Sequence, residues 1–336
     1  MSESTTTRPV AVVTGGSAGV GRAVVRELAG RGYDVAVLAR GRAGVEAAVA
    51  EVEAAGGRGL ALLADVADHD AVAAAAQRVE DELGPVEVWV NNAMTTVFGA
   101  VADVTPEEFE RATRVTYLGQ VWGTMAALAH MRPRDRGTIV SVGSALAFRG
   151  IPLQSAYCGA KFATRGFHDS VRTELIDAGS AVRVTEVHLP AVNTPQFEWC
   201  RSKLDRHPQP VPPMYEPEVA ARAVVDAIDD TPRHHVLGTW NWMLVRLSQL
   251  MPGVGDQYLA RTGVEGQQTD EAIDADRPDD LFAPLDDERD VGAHGSFGDQ
   301  TGGVLQPQFL LSLPKTLLDL GASVAARATQ VREQRG

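Results

Sequence analysis

Short apolar runs alternate along this chain with longer segments in which apolar residues recur at helical spacing. Apolar runs of this length, bounded by glycine or polar residues, indicate buried strands. We predict seven strands, at 9–15, 34–40, 59–65, 86–92, 137–144, 182–190 and 234–238. Because strands that alternate with helices form parallel sheets covered on both faces, the predicted fold class is α/β, a doubly wound sheet of the Rossmann type.

The alternation ends near residue 240, so we assign residues 8–240 to one Rossmann-type domain, preceded by a flexible N-terminus at 1–7. Residues 241–264 predict further helices, because apolar residues there recur on one helical face. Residues 265–303 are rich in Asp, Gly and Pro and cannot supply a core of their own. We expect this acidic arm to be irregular and to wrap a surface.

The amphipathic C-terminal segment, residues 304–336, has leucines at helical spacing, among them Leu313, Leu317 and Leu320. We expect it to dock on the body of the protein or on a partner subunit. Membrane contact is the alternative, and the lack of a Lys/Arg-rich polar face disfavours it.

The formal net charge of −13 over 336 residues lies mostly in one late segment. Between Glu265 and Gln300 there are 12 acidic residues and two arginines, a net of −10, which leaves −3 for the rest of the chain. A chain with this balance is not expected to bind nucleic acid.

The two cysteines, Cys158 and Cys200, have no metal-ligand spacing and suggest no disulfide framework. We therefore expect no metal site and a cytoplasmic location. The N-terminus lacks the apolar core of a signal peptide, and no run of eighteen apolar residues predicts a membrane-spanning helix.

A glycine-rich loop, "TGGSAGVG", follows the first predicted strand and precedes the first predicted helix. Glycines at 15, 19 and 21 would let the backbone turn tightly and approach a pyrophosphate at the positive end of that helix. A tight strand-to-helix turn without a ligand is the alternative. The position directly after strand one favours a dinucleotide site.

In "SAYCGAK", Tyr157 and Lys161 are four residues apart and share a face if the segment is helical. A phenol has a pKa of about 10 and transfers protons poorly near neutral pH. A nearby cation would lower that pKa and make the phenol a usable acid and base. An ordinary helix face is the other interpretation of this spacing when it is taken alone.

Several motifs in order resemble those of the short-chain dehydrogenase/reductase family over roughly residues 8–240. They are the glycine loop, Asp65 with Val66 after the third strand, "NNAM" at 91–94, and "PAVNT" at 190–194. Ser144 precedes Tyr157 by thirteen positions and Lys161 follows it by four, which is similar to the family's catalytic spacing.

The resemblance implies an oxidoreductase that interconverts a carbonyl and an alcohol by hydride transfer. Tyr157 would carry the proton, Lys161 would lower the pKa of Tyr157 and hold the nicotinamide ribose, and Ser144 would polarise the carbonyl. The implied cofactor contacts are Gly15, Ser17, Gly19, Val20, Gly21, Arg40, Asp65, Val66, Asn92, Ala93, Tyr157, Lys161, Pro190, Val192 and Thr194.

Three positions depart from the family pattern. Thr116 stands where the family has an asparagine that anchors a water in the proton relay, and we include Thr116 among the catalytic candidates. Its short hydroxyl can bond a water or a helix carbonyl. Met94 and Ala191 replace glycines and would narrow the space around the cofactor.

The end of the second strand predicts the choice of cofactor. A carboxylate there would accept the ribose hydroxyls of NAD(H), but this chain has Arg40 with Arg42 beside it. If these arginines bind a 2′-phosphate, the cofactor is NADP(H) in preference to NAD(H). A solvated basic loop is the alternative.

Residues 195–217 occupy the family's variable substrate loop. Phe197, Trp199, Met214 and Tyr215 suggest an apolar ketone or alcohol, although the same residues could simply pack the loop down. The resemblance also implies a homo-oligomer, a dimer or tetramer. A catalytically weak, NADP(H)-binding sensor or scaffold is the alternative function.

Overall fold

The computed structural model describes residues 8–274 and 276–302; the predictions for 1–7 and 304–336 lie outside these residues. The strands are β1 (Val10–Thr14), β2 (Asp34–Ala39), β3 (Gly59–Leu63), β4 (Val86–Asn91), β5 (Val97–Phe98), β6 (Thr138–Ser144), β7 (Arg183–Leu189), β8 (Ala191–Val192), β9 (Arg201–Ser202), β10 (Arg206–Pro208), β11 (Met214–Tyr215), β12 (His234–Val236) and β13 (Gln268–Ala272). The helices are α1 (Gly19–Gly30), α2 (Arg42–Ala54), α3 (His69–Glu82), α4 (Pro106–Thr113), α5 (Gly119–Arg134), α6 (Ser155–Asp177), α7 (Gln196–Trp199), α8 (Pro217–Asp230), α9 (Thr239–Leu250) and α10 (Pro252–Thr262).

Seven strands form one parallel sheet in the order β12-β7-β6-β4-β1-β2-β3. The predicted Rossmann-type fold is confirmed, and each predicted strand overlaps an observed one. Alternate residues of β1 enter opposite cores: Ala11 and Val13 pack with α1, α2 and α8, while Val10 and Val12 pack with α3, α5 and α6. Because successive side chains of a strand point to opposite faces of the sheet, β1 contributes to the apolar core on each face.

The order of the strands reverses between β1 and β4, because the chain runs outward from β1 to β3 and then crosses to β4. In open α/β sheets the crevice at the carboxyl ends of such strands binds ligands. The glycine loop after β1 and Asn92 after β4 both lie at this crevice, and the Asn92 amide donates to the carbonyls of Thr14 and Gly15 at 3.1 and 3.0 Å.

The acidic arm folds back over this edge of the sheet. Its first part forms β13, which pairs antiparallel with β10. Residues 277–302, here called the strap, have little regular structure and run across the carboxyl ends of the strands. Backbone bonds from the strap reach Gly19 of α1, Gly44 of α2 and Asn193 after β8. The strap therefore covers the crevice in which the sheet's ligand site is expected.

Among the residues that the structure describes, no helix is long and apolar enough to cross a membrane.

Candidate active site

One cavity of about 890 Å³ lies at the carboxyl edge of the sheet, between the glycine loop and the later segments of the chain. Most of the residues predicted as site residues line it. They are Gly15, Ser17, Gly19, Val20, Arg40, Asp65, Val66, Asn92, Ala93, Ser144, Tyr157, Lys161, Pro190, Val192 and Thr194.

Two predicted residues, Gly21 and Thr116, do not line this cavity. Gly21 is a packing position, because a Cβ there would overlap the Gly15 carbonyl and the Asn92 amide. Thr116 is fully buried.

The glycine loop has the geometry of an anion cradle. Gly15 and Gly19 have φ angles of 64° and 56°, in the left-handed region that favours glycine. Helix α1 begins at Gly19 with no side-chain cap and no acidic residue in its first turn. Its first N–H groups can therefore bind an anion such as a pyrophosphate. The Gly19 N–H donates to the Gly292 carbonyl of the strap at 3.1 Å, so the strap reaches the same helix end.

Helix α6 and the end of β6 bring Ser144, Tyr157 and Lys161 together. The Lys161 ammonium lies 5.5 Å from the centre of the Tyr157 ring, as expected for residues one turn apart. It donates to the Val142 carbonyl at 2.7 Å. The Ser144 hydroxyl is hydrogen-bonded to the Tyr157 phenol and also accepts from the Leu146 N–H at 3.1 Å.

Burial dominates the electrostatics of this group. It raises the pKa of the Tyr157 phenol above its usual value, although the hydrogen bond with Ser144 opposes the change. Burial also lowers the pKa of Lys161 to about 8, against the attraction of Glu186. The direction for Tyr157 is opposite to the one that a proton carrier at neutral pH needs. A further positive charge in the cavity would favour the phenolate, which the oxidation direction of the predicted chemistry uses.

A buried histidine network supports the charge on Lys161 from behind. The Glu186 carboxylate lies 2.9 Å from His168 and 3.1 Å from His188, with His234 at 3.5 Å. Burial opposes ionisation of Glu186, but these hydrogen bonds outweigh it and lower the pKa of the carboxyl group. The anion that results helps Lys161 to keep its proton.

Thr116 lies in a π-helical turn (Arg114–Leu118) between α4 and α5. Its hydroxyl donates to the Thr95 carbonyl at 2.7 Å and accepts from the Thr95 N–H at 3.0 Å. The only donor of the hydroxyl is thus used by the backbone of the loop after β4. In this arrangement Thr116 fixes the loop that carries Met94, which lines the cavity.

Arg40 and Asp65 mark the end of the cavity away from Tyr157. The Arg40 guanidinium donates to the backbone carbonyls of Asp280 and Leu281 in the strap. Asp65 forms an ion pair with Arg111 at 2.6 Å, and Arg111 also donates to the Leu281 carbonyl at 2.8 Å. Both predicted cofactor contacts are therefore tied to the strap.

The outer wall of the cavity comes from segments that carry no motif. Helices α9 and α10 contribute mostly apolar residues, and Asp280 and Asp286 of the strap also line the cavity. In the substrate loop, Phe197 and Trp199 line it, whereas Met214 and Tyr215 do not. Sequence reasoning missed the two strap acids, because their position depends on how a segment without periodicity docks.

Comparison with known proteins identifies the family. Residues 9–204 match the family model described as short chain dehydrogenase. The chain is 32% identical over 263 residues to the uncharacterized oxidoreductase YxnA of Bacillus subtilis, covering 78% of this chain and 74% of that one. It is 30% identical to the putative oxidoreductase SadH of Mycobacterium tuberculosis, over 76% of this chain and 95% of the relative. It is also 28% identical to human 17-beta-hydroxysteroid dehydrogenase 13, over 75% and 82%.

A solved structure agrees with these relatives. An alcohol dehydrogenase from the archaeon Thermococcus sibiricus, complexed with 5-hydroxy-NADP, superposes with a TM-score of 0.59 at 28% identity. The match covers 68% of this chain and 95% of that one. Together with the family model, the likeness leads to one conclusion: this chain belongs to the short-chain dehydrogenase family and is an oxidoreductase.

Proposed function

We propose that this protein interconverts a carbonyl and an alcohol with a nicotinamide dinucleotide as cofactor. The observation that carries the proposal is the convergence of Ser144, Tyr157 and Lys161 in one cavity with the glycine loop. When bound, the nicotinamide ring would supply or accept the hydride.

Tyr157, Ser144 and Lys161 have separate roles in the transfer of the proton. The Tyr157 hydroxyl gives a proton to the substrate oxygen during reduction and takes it back during oxidation. The Ser144 hydroxyl donates a hydrogen bond to that oxygen as negative charge develops on it. Lys161 supplies positive charge beside the phenol, with its ammonium 5.5 Å from the centre of the Tyr157 ring.

The residues present fit a dinucleotide. The cradle at Gly15 and Gly19 suits the pyrophosphate, since α1 has no side-chain cap and no acid in its first turn, although its Gly19 N–H is engaged by the Gly292 carbonyl of the strap. Thr194 lies across from Gly19, where a Cβ would come within 3.3 Å of it. We therefore expect Thr194 to lie near a bound pyrophosphate and to contact the carboxamide of the nicotinamide.

We propose that the protein prefers NADP(H) to NAD(H), because Arg40 would bind the 2′-phosphate of the cofactor. The archaeal structure in complex with 5-hydroxy-NADP supports it. Arg40→Asp should weaken NADPH binding by about ten- to a hundredfold, because one charge-assisted contact is lost. Titration of NADPH and NADH against both proteins measures this. Equal affinities of the wild type for the two nucleotides would contradict the proposed preference.

The substrate that we propose is a bulky apolar ketone or alcohol. Leu244, Leu247 and Met251 line the cavity from α9 and its end, and Phe197 and Trp199 line it from the substrate loop. The name of the human relative, which refers to a hydroxysteroid, points to the same class. A panel of ketones graded by size, with NADPH as reductant, tests the proposal. Turnover confined to small polar carbonyls would contradict it.

We also propose a homo-oligomer and a cytoplasmic location, on the resemblance to the family and the low cysteine content. The mass of the protein in solution tests the first proposal. Fractionation of the cells that produce it tests the second.

A further inference from the structure

The strap places a carboxylate inside the predicted cofactor cavity. Asp286 lines the cavity and is only 5% exposed. Its Oδ2 atom is buried and has no hydrogen-bond partner among the residues that the structure describes. A buried carboxylate oxygen without a partner is costly, so such atoms commonly face a ligand or water.

The first turn of α2 is shaped around this side chain. A Cβ at Gly41 or at Gly44 would overlap the Asp286 carboxylate, so both glycines make room for it. The Gly44 N–H donates to the Asp286 carbonyl at 3.0 Å, which fixes the backbone of the strap here. The next acid, Asp287, accepts from the Arg42 N–H at 2.9 Å and caps the helix from outside.

The position of Asp286 corresponds to the adenosine end of the proposed cofactor. Tyr157 marks the nicotinamide end and the glycine loop marks the pyrophosphate, so the part of the cavity beyond the loop would hold the second ribose. Arg40 lines this part, and the Asp286 charge acts on its guanidinium. Ser17 of the glycine loop lies next to Gly44 on the same side.

We propose that Asp286 is a specificity-determining residue, which accepts hydrogen bonds from the hydroxyls of the adenosine ribose and opposes a 2′-phosphate. The inference rests on the proposed function. A carboxylate accepts hydrogen bonds from hydroxyl groups, whereas a phosphate dianion offers none and is repelled by like charge. Arg40 attracts the 2′-phosphate and Asp286 repels it. The wild type therefore prefers NADP(H) over NAD(H) by a smaller factor than Arg40 alone would produce.

In this arrangement a residue that determines the choice of cofactor, Asp286, lies in the strap and not at the end of a sheet strand. The acid that selects NAD(H) is expected at the end of the second strand, where this chain has Arg40. Here a carboxylate reaches the same ribose from a segment more than two hundred residues later in the chain. Cofactor choice therefore depends on the docking of the strap as well as on β2.

The test compares Asp286→Asn with Asp287→Asn by titration of NADH and NADPH. Both changes remove one charge from the strap, but only Asp286 lines the cavity. We expect Asp286→Asn to move the ratio of the two dissociation constants toward NADPH by about tenfold, since like charges in contact are strongly unfavourable. Asp287→Asn should move it by less than about threefold. Melting temperatures establish that both variants fold, and Asp286→Ser replaces Asp286→Asn if that variant does not.

A ratio that is unchanged in Asp286→Asn, or that shifts equally in both variants, overturns the role of Asp286 while the proposed function stands. If the wild type binds neither nucleotide, the proposed function fails and this inference fails with it.

Discussion

The phenol of Tyr157 poses the main chemical problem of this site. Its burial raises its pKa, and the Lys161 ammonium donates to the Val142 carbonyl and lies 5.5 Å from the ring centre. Lysine alone therefore does not bring the phenol into the neutral range. The oxidised nicotinamide, when bound, would supply a positive charge that favours the phenolate. Acid/base competence is then expected to depend on the bound cofactor.

Thr116 occupies the position at which the resemblance suggests a residue of the proton relay, but its hydroxyl is hydrogen-bonded to the backbone. Because its hydroxyl bonds both the N–H and the carbonyl of Thr95, Thr116→Ala would leave two buried backbone groups without partners. We expect it to lower the free energy of unfolding by about 1–3 kcal/mol. Thr116→Ser retains the hydroxyl and is the control. Urea denaturation measures both, and an Ala variant as stable as the Ser variant would contradict the positioning role.

At the scale of elements, the apolar runs predict the strands of the central sheet, because a strand buried on both faces needs apolar residues at nearly every position. The glycine loop and the Tyr157–Lys161 spacing likewise predicted where α1 and α6 meet the cavity. The docking of the strap was beyond sequence reasoning. Its contacts with Arg40 and Gly44 use backbone carbonyls, which every residue has, and so leave no pattern in the sequence.

We expect the stability of the docked strap to depend on pH through Asp280. Burial raises the pKa of its carboxyl group to about 7, although Arg40 attracts the charged form. A carboxyl group whose pKa is raised in the folded state favours folding below its unfolded-state pKa of about 4, and this contribution is lost as the pH rises from there to about 7. Asp280→Asn mimics the protonated acid, so its melting temperature relative to wild type should increase from pH 5 to pH 8.

The control for this measurement is Asp299→Asn, which removes an exposed acid from the same strap. Its melting temperature relative to wild type should stay constant over the same range. A constant difference for Asp280→Asn would show that the carboxyl group of Asp280 does not titrate near pH 7.

At the scale of the whole molecule, the acidic arm is matched to basic residues of the Rossmann-type body. Asp290 pairs with Arg22 at 3.2 Å, Asp279 pairs with Arg201 at 2.6 Å, and Glu265 pairs with Arg206 at 2.6 Å. Part of the negative charge of the acidic arm is therefore balanced by basic residues of the same chain. An acidic segment of this kind does not by itself indicate an external partner.

The strap also completes an apolar cluster, since Phe297 packs with Phe98, Phe197 and Met214. A chain that ends at residue 276 loses this contact. We expect its free energy of unfolding to fall by at least about 3 kcal/mol, the usual cost of removing a buried phenylalanine side chain. A chain that ends at residue 302 keeps the strap and is the control. Equal stability of the two truncated chains would contradict structural docking of the strap.

The central claim is that Tyr157 carries the proton in a carbonyl–alcohol interconversion. Its most direct test is the turnover of Tyr157→Phe on a ketone that the wild type reduces with NADPH. Phenylalanine keeps the ring, so the melting temperature and the affinity for NADPH should stay near those of the wild type. Turnover should fall by a factor of ~10² to 10⁴, the usual contribution of a positioned acid. Full turnover by the folded, NADPH-binding variant would contradict the claim.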